Sequence, residues 1–249
     1  MGIPKPAERR RPLTEQSWFR GLLCVVALIG TVALAGYQRR TGPSWPVGVD
    51  ARIAGARVTG ELPRSHGGVG GAPIDLYAPS PEVTGKVVWR RYPTSDPWKV
   101  IPMSRIGSRL IAELPHQPPA GKLEYSVHLE AAGAARNLPE AQTAVIRFRG
   151  EVPAGILIPH ILLMFLALTV VLRAALALLL GDPSPERFVP WILLMMVPGG
   201  LVFGPLVQKH AFGAYWTGWP LGDDWTDNKT LAAVLGWFVA WAIARAVSA

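Results

Sequence analysis

The chain has 249 residues, of which half are hydrophobic and 17% are charged, and its formal net charge is +8. A soluble domain usually carries about 25% charged residues, so this composition argues against an ordinary soluble enzyme and favours a bacterial-type membrane protein. The single cysteine, Cys24, excludes an internal disulfide framework and a multi-cysteine metal site.

The first uncharged block, Gly21–Tyr37, has the length of a membrane span and follows a basic tail at residues 1–20. Such a tail and block are also typical of a secretory signal, for which Ala33-Leu34-Ala35 would be the cleavage site. We interpret residues 21–38 as an uncleaved transmembrane helix whose N-terminus is cytoplasmic, because basic residues mark that side.

Residues 50–150 have a different character, with short runs of alternating hydrophobic residues separated by glycine and proline. The predicted strands are Ala56–Leu62, Ile74–Tyr77, Lys86–Tyr92, Trp98–Pro102, Arg109–Leu114, Leu123–Glu130 and Ala144–Arg149. Seven short strands in about 100 residues are what a β-sandwich of the immunoglobulin type needs.

An ordered series of motifs in this region carries a family resemblance. The motifs are Lys86-Val-Val-Trp-Arg-Arg-Tyr92, Trp98-Lys-Val-Ile-Pro-Met103, Leu110-Ile-Ala-Glu-Leu-Pro115 and Pro118-Pro-Ala-Gly-Lys-Leu-Glu-Tyr-Ser-Val-His-Leu129. The series resembles the immunoglobulin-like or fibronectin type III-like modules of bacterial cell-surface and periplasmic proteins. The resemblance implies that Trp89 is the core tryptophan and Tyr125 the corner tyrosine. It implies no particular function, since such sandwiches host many unrelated roles.

Two features of this region bear on ligand binding. The arginines Arg90-Arg91, Arg105 and Arg109 suggest a basic patch, although charges that solvate strand edges are the more ordinary interpretation. The run Gly67–Gly71 lacks the strand–turn–helix setting of a nucleotide loop and predicts a flexible hairpin tip. No nucleic-acid module is recognisable in the sequence, so we expect no nucleic-acid partner.

Three further apolar blocks predict transmembrane helices at residues 155–181, 189–207 and 230–247. Arg173 lies about two turns from the end of the second helix, where its guanidinium can reach lipid headgroups. In the third helix, Pro198-Gly199-Gly200 predicts a kink whose freed carbonyl must be covered by neighbouring helices.

Four crossings place both termini in the cytoplasm of a bacterial inner membrane and residues 41–152 in the periplasm. The sequence therefore predicts a four-helix membrane protein that carries an all-β immunoglobulin-like sandwich in the periplasm. A second periplasmic segment, the loop at residues 208–229, joins the third and fourth helices.

This loop is unusually rich in aromatic and acidic residues. They are Tyr215, Trp216, Trp219, Trp225, Asp223, Asp224 and Asp227. Tryptophan and tyrosine favour the membrane interface, so we interpret the segment as an interfacial loop in which Asp227 is the N-cap of the fourth helix. A contact surface for a partner protein is the alternative, because aromatic anchors dominate interfaces.

Two histidines raise the possibility of a cofactor. Topology predicts His160 and His210 at the same membrane face, where the two imidazoles would ligate a haem iron. Together with Asp223, Asp224 or Asp227 they would bind a divalent metal. A hydrogen-bonded histidine near a helix end is the more ordinary interpretation, and we do not favour either cofactor.

Small residues recur every four positions along three of the predicted helices. The stripes are Ala27, Thr31 and Ala35 in the first helix, Gly200 and Gly204 in the third, and Ala232, Gly236, Ala240 and Ala244 in the fourth. This spacing allows membrane helices to approach closely, either within the bundle or against another subunit.

No catalytic motif stands in a context that supports it, so we expect a protein that is not an enzyme. The leading hypothesis is a non-catalytic accessory subunit that stabilises a larger inner-membrane complex of the respiratory or photosynthetic kind. Its partners would be the lipid bilayer and other membrane subunits. One alternative is a haem- or metal-binding redox protein that uses His160 and His210, and another is an envelope sensor or ligand-binding module.

Overall fold

Helices make up one unit of the chain, and β-strands make up most of the other. The structure, a computed structural model, describes residues 16–182, 184–222 and 225–248. The helical unit comprises residues 16–37, 154–206 and those from 216 onward, and the β unit comprises residues 38–153 and 207–215.

The described part of the β unit contains eleven strands in two sheets. They are Val47–Ile53 (β1), Ala56–Leu62 (β2), Ser65–Gly67 (β3), Ala72–Tyr77 (β4), Thr84–Arg91 (β5), Lys99–Pro102 (β6), Ser104–Ile106 (β7), Arg109–Leu114 (β8), Lys122–Ala131 (β9), Ala134–Leu138 (β10) and Ala144–Arg149 (β11). One sheet has the order β1-β2-β4-β8-β7, and the other has the order β3-β11-β9-β5-β6 with β10 beside β9. Neighbouring strands are antiparallel except for β3 and β11, which pair in parallel.

Alternating side chains from the two sheets meet in one hydrophobic core, as in a β-sandwich. In β4, Ile74 and Leu76 are fully buried whereas the next residue, Tyr77, is half exposed. In β11, Ile146 and Phe148 occupy the same core from the other sheet. The period of two therefore decides which side chains are buried.

All seven predicted runs overlap an observed strand, and the bounds of β2, β8 and β11 agree with the predicted ones. The sequence analysis missed β1, β3, β7 and β10. The strands β3 and β7 have three residues each and are too short to show an alternating pattern. β1 does alternate, but the predicted domain boundary at residue 50 divides it.

The two aromatic residues singled out by the resemblance are both buried. Trp89 on β5 is 9% exposed, and Tyr125 on the neighbouring strand β9 is fully buried. The Tyr125 hydroxyl donates a hydrogen bond to the Pro63 carbonyl oxygen at 2.8 Å, which joins β9 to the connection after β2. In a tyrosine corner the acceptor lies a few residues upstream, whereas here it lies 62 residues away. Burial also raises the pKa of Tyr125 above its usual value.

Replacing Tyr125 by phenylalanine is expected to lower the free energy of unfolding of the β unit by about 1–2 kcal/mol, because the Pro63 carbonyl loses its donor. Chemical denaturation of the full chain measures this change. Tyr77→Phe is the matched control in the same unit, since Tyr77 is half exposed. Equal effects of the two substitutions would show that the hydroxyl of Tyr125 contributes nothing specific.

The helices are Ser17–Thr41 (α1), Ala154–Leu179 (α2), Val189–Met196 (α3), Gly204–Phe212 (α4) and Trp225–Ser248 (α5). A 3-10 turn at Pro185–Phe188 and a π-helical segment at Val197–Phe203 join α3 and α4 into one stretch. Within the described residues, four stretches are long and apolar enough to cross a membrane: 17–41, 154–179, 185–212 and 225–246.

The third stretch continues to Phe212, beyond the predicted end at residue 207, and α5 begins at Trp225, before the predicted start at residue 230. The helix dipole favours both extensions, because α4 has basic residues in its last turn and α5 has Asp227 in its first turn. Asp227 is therefore a first-turn residue of α5, and its prediction as the N-cap is wrong.

At Pro198, where the sequence predicts a kink, the chain forms the π-helical segment Val197–Phe203. Neighbouring helices cover it, as expected. A Cβ atom on Gly200 would lie 2.7 Å from the Thr230 side chain of α5, and one on Gly199 would lie 2.9 Å from Leu163 of α2. The His160 ring nitrogen Nδ1 donates a hydrogen bond to the Gly199 carbonyl oxygen at 2.9 Å.

The prediction that Arg173 reaches lipid headgroups is wrong. The residue is 5% exposed, and its guanidinium lies over the ring of Phe188, 5.1 Å from the ring centre. Its Nη1 atom has no hydrogen-bond partner among the described residues. The aromatic ring therefore holds this cation inside the helical unit.

Candidate functional site

The described part of the β unit contains a basic cleft. It consists of a cavity of about 660 Å³ and an adjoining one of about 280 Å³, which share Ser44, Arg64, Ser65 and Phe212. Its lining comes from the end of α1 and the residues after it, from β2 and its connection to β3, from residues of β4, β8, β9 and β11, and from the end of α4.

Positive charge dominates the lining of this cleft. The cations are Arg39, Arg64, Arg109, Lys122, Arg147 and Arg149, and the carboxylates are Glu61 and Asp75. Asp75 is already paired with Arg109 through two hydrogen bonds of 2.6 and 2.8 Å. Glu61 is exposed on the rim. The cleft thus presents a clear excess of cations.

The parallel pairing of β3 with β11 places two of these arginines. Arg147 and Arg149 lie opposite Ser65 and Gly67, on either side of the buried residue Phe148. Because side chains alternate along a strand, the two arginines point to the side away from the core. The Arg147 amide also donates to the carbonyl of Arg64 at 3.1 Å, so the two cleft segments are joined directly.

Phe212 is the aromatic wall of the cleft. The Arg147 guanidinium stacks over its ring at 3.7 Å from the centroid. The chain beside it is held by a 2.9 Å hydrogen bond from the Gly150 amide to the Ala211 carbonyl. A Cβ on Gly150 would lie 2.3 Å from the His210 carbonyl oxygen, so this close approach requires glycine. The cleft is therefore preorganised on the side of Arg147.

The arginines that the sequence analysis singled out have mainly structural roles. Arg90 pairs with Glu124, and Arg91 pairs with Asp96 at 2.5 Å. The Arg105 guanidinium donates to the carbonyls of Ala78 and Val83. Of these four arginines, only Arg109 lines the cleft.

The glycine run is also placed differently from the prediction. Residues 67–71 connect β3 to β4, which belong to different sheets, so the prediction of a hairpin tip is wrong. The Gly71 amide donates to the Glu113 carboxylate at 2.9 Å, and the Gly70 carbonyl accepts from His116 at 2.8 Å. These contacts fix the end of the connection that leads into β4.

The two candidate haem ligands are in different settings. His160 is half-buried in α2, with Nδ1 engaged by Gly199, whereas His210 is exposed in the last turn of α4. Asp223 and Asp224 lie outside the described residues. Within the described part of the chain, no three His, Cys, Asp or Glu side chains group as metal ligands would.

Asp227 has a specific partner, the loop that precedes α5. Its Oδ2 accepts hydrogen bonds from the amides of Thr217 at 2.8 Å and Gly218 at 3.2 Å. Asn228 accepts from the Trp219 amide at 2.8 Å. Consecutive amides of the loop are thus clamped onto the first turn of α5.

The aromatic residues of this loop point largely outward. Trp219 and Trp225 are 74% and 73% exposed. Trp216 is half-buried and donates from its indole nitrogen to the Trp219 carbonyl at 3.2 Å. Tyr215, in the β unit, is exposed, with Lys209 over its ring. Trp219 in the loop and Trp225 at the start of α5 are therefore both exposed to the surroundings.

The small-residue stripes differ in what they contact. Ala27 and Thr31 of α1 are buried, and the Thr31 hydroxyl oxygen lies 3.0 Å from that of Thr169 in α2. Gly200 is buried and Gly204 half-buried within the helical unit. On α5, Ala240 and Ala244 are half-buried, whereas Ala232 and Gly236 are exposed. A Cβ atom on Gly236 would meet nothing within 4 Å.

No protein-family model matches this chain, and a search of the curated proteins finds no sequence relative. The class that the fold and site define is a chain with four apolar helical stretches joined to a two-sheet β unit that carries a basic cleft.

Proposed function

We propose that this protein is a non-catalytic subunit of a larger assembly in a bacterial inner membrane of the respiratory or photosynthetic kind. In this proposal the four apolar helices cross the bilayer, with both termini in the cytoplasm. The β unit, as an immunoglobulin-like module, lies on the periplasmic side and stabilises the assembly from there.

The outward surface of the helices supports insertion in a bilayer. On α1, Val25, Ile29 and Val32 are each more than half exposed, and no charged residue occurs between Gly21 and Tyr37. Such a continuous apolar surface is costly in water and favourable in lipid. This supports the membrane part of the proposal.

The main support for a role as a subunit is the exposed face of α5. Within residues 225–246, Val234 is the single buried residue, and the stripe at Ala232 and Gly236 is exposed. Small residues at this spacing let a second helix approach closely, and exposed tryptophans at the start of α5 add anchors of the kind that interfaces use. We assign this face to a helix of another membrane subunit.

Gly236→Leu tests this assignment, because a bulky side chain on the stripe keeps a partner helix at a distance. We expect the full chain, extracted from its native membrane in a mild detergent, to lose the partner and to migrate on a native gel at lower mass. Gly36→Leu in α1 is the matched control, since a Cβ there also meets nothing within 4 Å. If lipid alone covers the stripe, the wild-type chain is recovered as a monomer or both variants keep the assembly, and the proposal fails.

The cleft favours a second candidate function, an envelope module that binds a ligand through its β unit. The specific observation is the preorganised cationic lining of the cleft. This function is compatible with a place in a larger assembly, since the cleft and the α5 face lie in different units.

A further inference from the structure

We propose that the basic cleft of the β unit binds a phosphate-bearing anion, and that the headgroup phosphate of an anionic phospholipid is its source. The phosphate chemistry follows from the cleft itself. The lipid source rests on the proposed membrane location.

The cleft cations differ from several other cations of the β unit in their charge pairing. Four cleft cations have no carboxylate partner among the described residues: Arg39, Arg64, Lys122 and Arg149. Elsewhere on the unit, five cations are each paired with a carboxylate: Arg57, Lys86, Arg90, Arg91 and Arg136. Other cations outside the cleft, such as Arg52, also lack a carboxylate pair among the described residues, so the cleft is distinguished by gathering several such cations along one lining. Cations gathered in excess over carboxylates repel one another, and an anion that binds among them reduces this repulsion.

The residue types in the cleft favour phosphate. Arginine supplies most of the cations, and its planar donor fork matches the oxygens of a phosphate group. The hydroxyls of Ser44 and Ser65 add neutral donors to the same lining. Phe212 gives one apolar wall, against which the carbon atoms of a headgroup can pack.

The framework of the cleft holds these groups in place before a ligand arrives. Arg147 is fixed by its ring contact with Phe212 and by its backbone bond to Arg64. The residue before Arg64 is held by the bond from Tyr125 to Pro63. A preorganised site loses less conformational entropy when the ligand binds.

Sequence spacing connects the cleft with the apolar helices. Arg39 lies in α1 within the stretch 17–41, Phe212 ends the stretch 185–212, and Arg149 precedes α2 by five residues. Three segments that enter or leave the proposed membrane thus supply cleft residues. Under the proposed topology, these segments pass the phosphates of the outer leaflet within a few residues of the cleft residues that they supply.

The test is a calorimetric titration of the full chain, purified in a neutral detergent and stripped of lipid, with three probes. The probes are short-chain phosphatidylglycerol, short-chain phosphatidylcholine and inorganic pyrophosphate. We expect phosphatidylglycerol to bind more tightly than the zwitterionic lipid, with an affinity that falls as salt is added. Arg64→Gln is expected to weaken this binding about tenfold through the loss of one charged contact.

Arg52→Gln is the matched control, since Arg52 is exposed on β1 and lies outside the cleft lining. It is expected to change the affinity by less than about twofold. Arg64→Lys keeps the charge and should restore part of the binding, and thermal unfolding confirms that each variant is folded. If Arg64→Gln does not fold, Arg149→Gln replaces it, because the Arg149 side chain is exposed.

The outcomes separate the two parts of the inference. Pyrophosphate binding that depends on Arg64, without phosphatidylglycerol binding, supports phosphate recognition and overturns the lipid source. No binding of either anion, or equal losses in Arg64→Gln and Arg52→Gln, overturns the site. Alkaline extraction of native membranes tests insertion independently, so a soluble chain that still binds pyrophosphate contradicts the proposed function and not the phosphate site.

Discussion

Asp182→Asn is expected to lower the free energy of unfolding of the helical unit by about 2–3 kcal/mol, the contribution of hydrogen bonds to a charged group. The Asp182 carboxylate is buried and accepts two hydrogen bonds from the Arg187 guanidinium, at 2.6 and 3.1 Å. It also accepts a hydrogen bond from the Ser184 amide at 3.1 Å. An asparagine keeps the shape but leaves Arg187 without its counter-charge. Unfolding with a denaturing detergent in mixed micelles measures the loss.

The effect has a defined pH dependence. Burial alone would raise the pKa of Asp182, but the hydrogen bonds from Ser184 and Arg187 and the charges of Arg187 and Arg173 outweigh it, so the pKa is lowered. A lowered pKa means that the carboxylate stabilises the folded state above its ordinary pKa. This contribution disappears as the pH falls through the folded-state value. The stabilities of the wild-type chain and Asp182→Asn should therefore converge in acid.

Glu186→Gln is the control for this prediction, because Glu186 is an exposed carboxylate close to Asp182 in sequence. Its substitution is expected to change the free energy of unfolding by less than about 0.5 kcal/mol. A loss in Glu186→Gln as large as that in Asp182→Asn would mean that net charge, and not the buried pair, sets the stability of this region.

The helix α2 and its residue Arg173 show where sequence reasoning succeeds and where it fails. Hydrophobic length alone identified the helix, because a run of apolar residues depends on composition and not on neighbours. The environment of Arg173 depends on Phe188, a residue of the following helical stretch that folds back against it. A position near a helix end favours an exposed guanidinium, and the tertiary contact overrides that preference.

The same distinction applies to the β unit. The alternation of buried and exposed residues predicted β2, β8 and β11 at their observed bounds, because that signal is local. The cleft could not be predicted in this way, since its cations come from segments that are distant in the chain. A partial signal exists in the sequence: Arg147 and Arg149 flank a core phenylalanine, which places both arginines on one face of a strand.

The loop at residues 208–229 stands out in the sequence through its composition, but the hydrogen-bond partners of Asp227 were not predicted. The sequence placed an acidic residue at the start of the fourth helix, where it interacts favourably with the helix dipole. Its hydrogen bonds to Thr217 and Gly218 depend on how the loop turns back toward α5. A capping rule considers the helix alone and cannot specify these partners.

Gly150→Ala is expected to disrupt the cleft, because the new Cβ would lie 2.3 Å from the His210 carbonyl oxygen and neither backbone can yield without a shift. Overpacking of this kind costs about 1–3 kcal/mol. The Gly150–Ala211 hydrogen bond would break, and Phe212 would move away from Arg147. Hydrogen exchange in residues 207–215 should therefore accelerate, and phosphatidylglycerol binding should weaken together with it.

Gly48→Ala provides the comparison for this variant, since Gly48 lies on β1 of the same unit and a Cβ there meets nothing within 4 Å. It should leave both the exchange of residues 207–215 and the lipid affinity unchanged. Faster exchange in Gly150→Ala with unaltered phosphatidylglycerol affinity would show that Phe212 and the stacked Arg147 are not part of the binding surface. In that case the lipid contacts would have to come from the other cleft cations, Arg39, Arg64, Lys122 and Arg149.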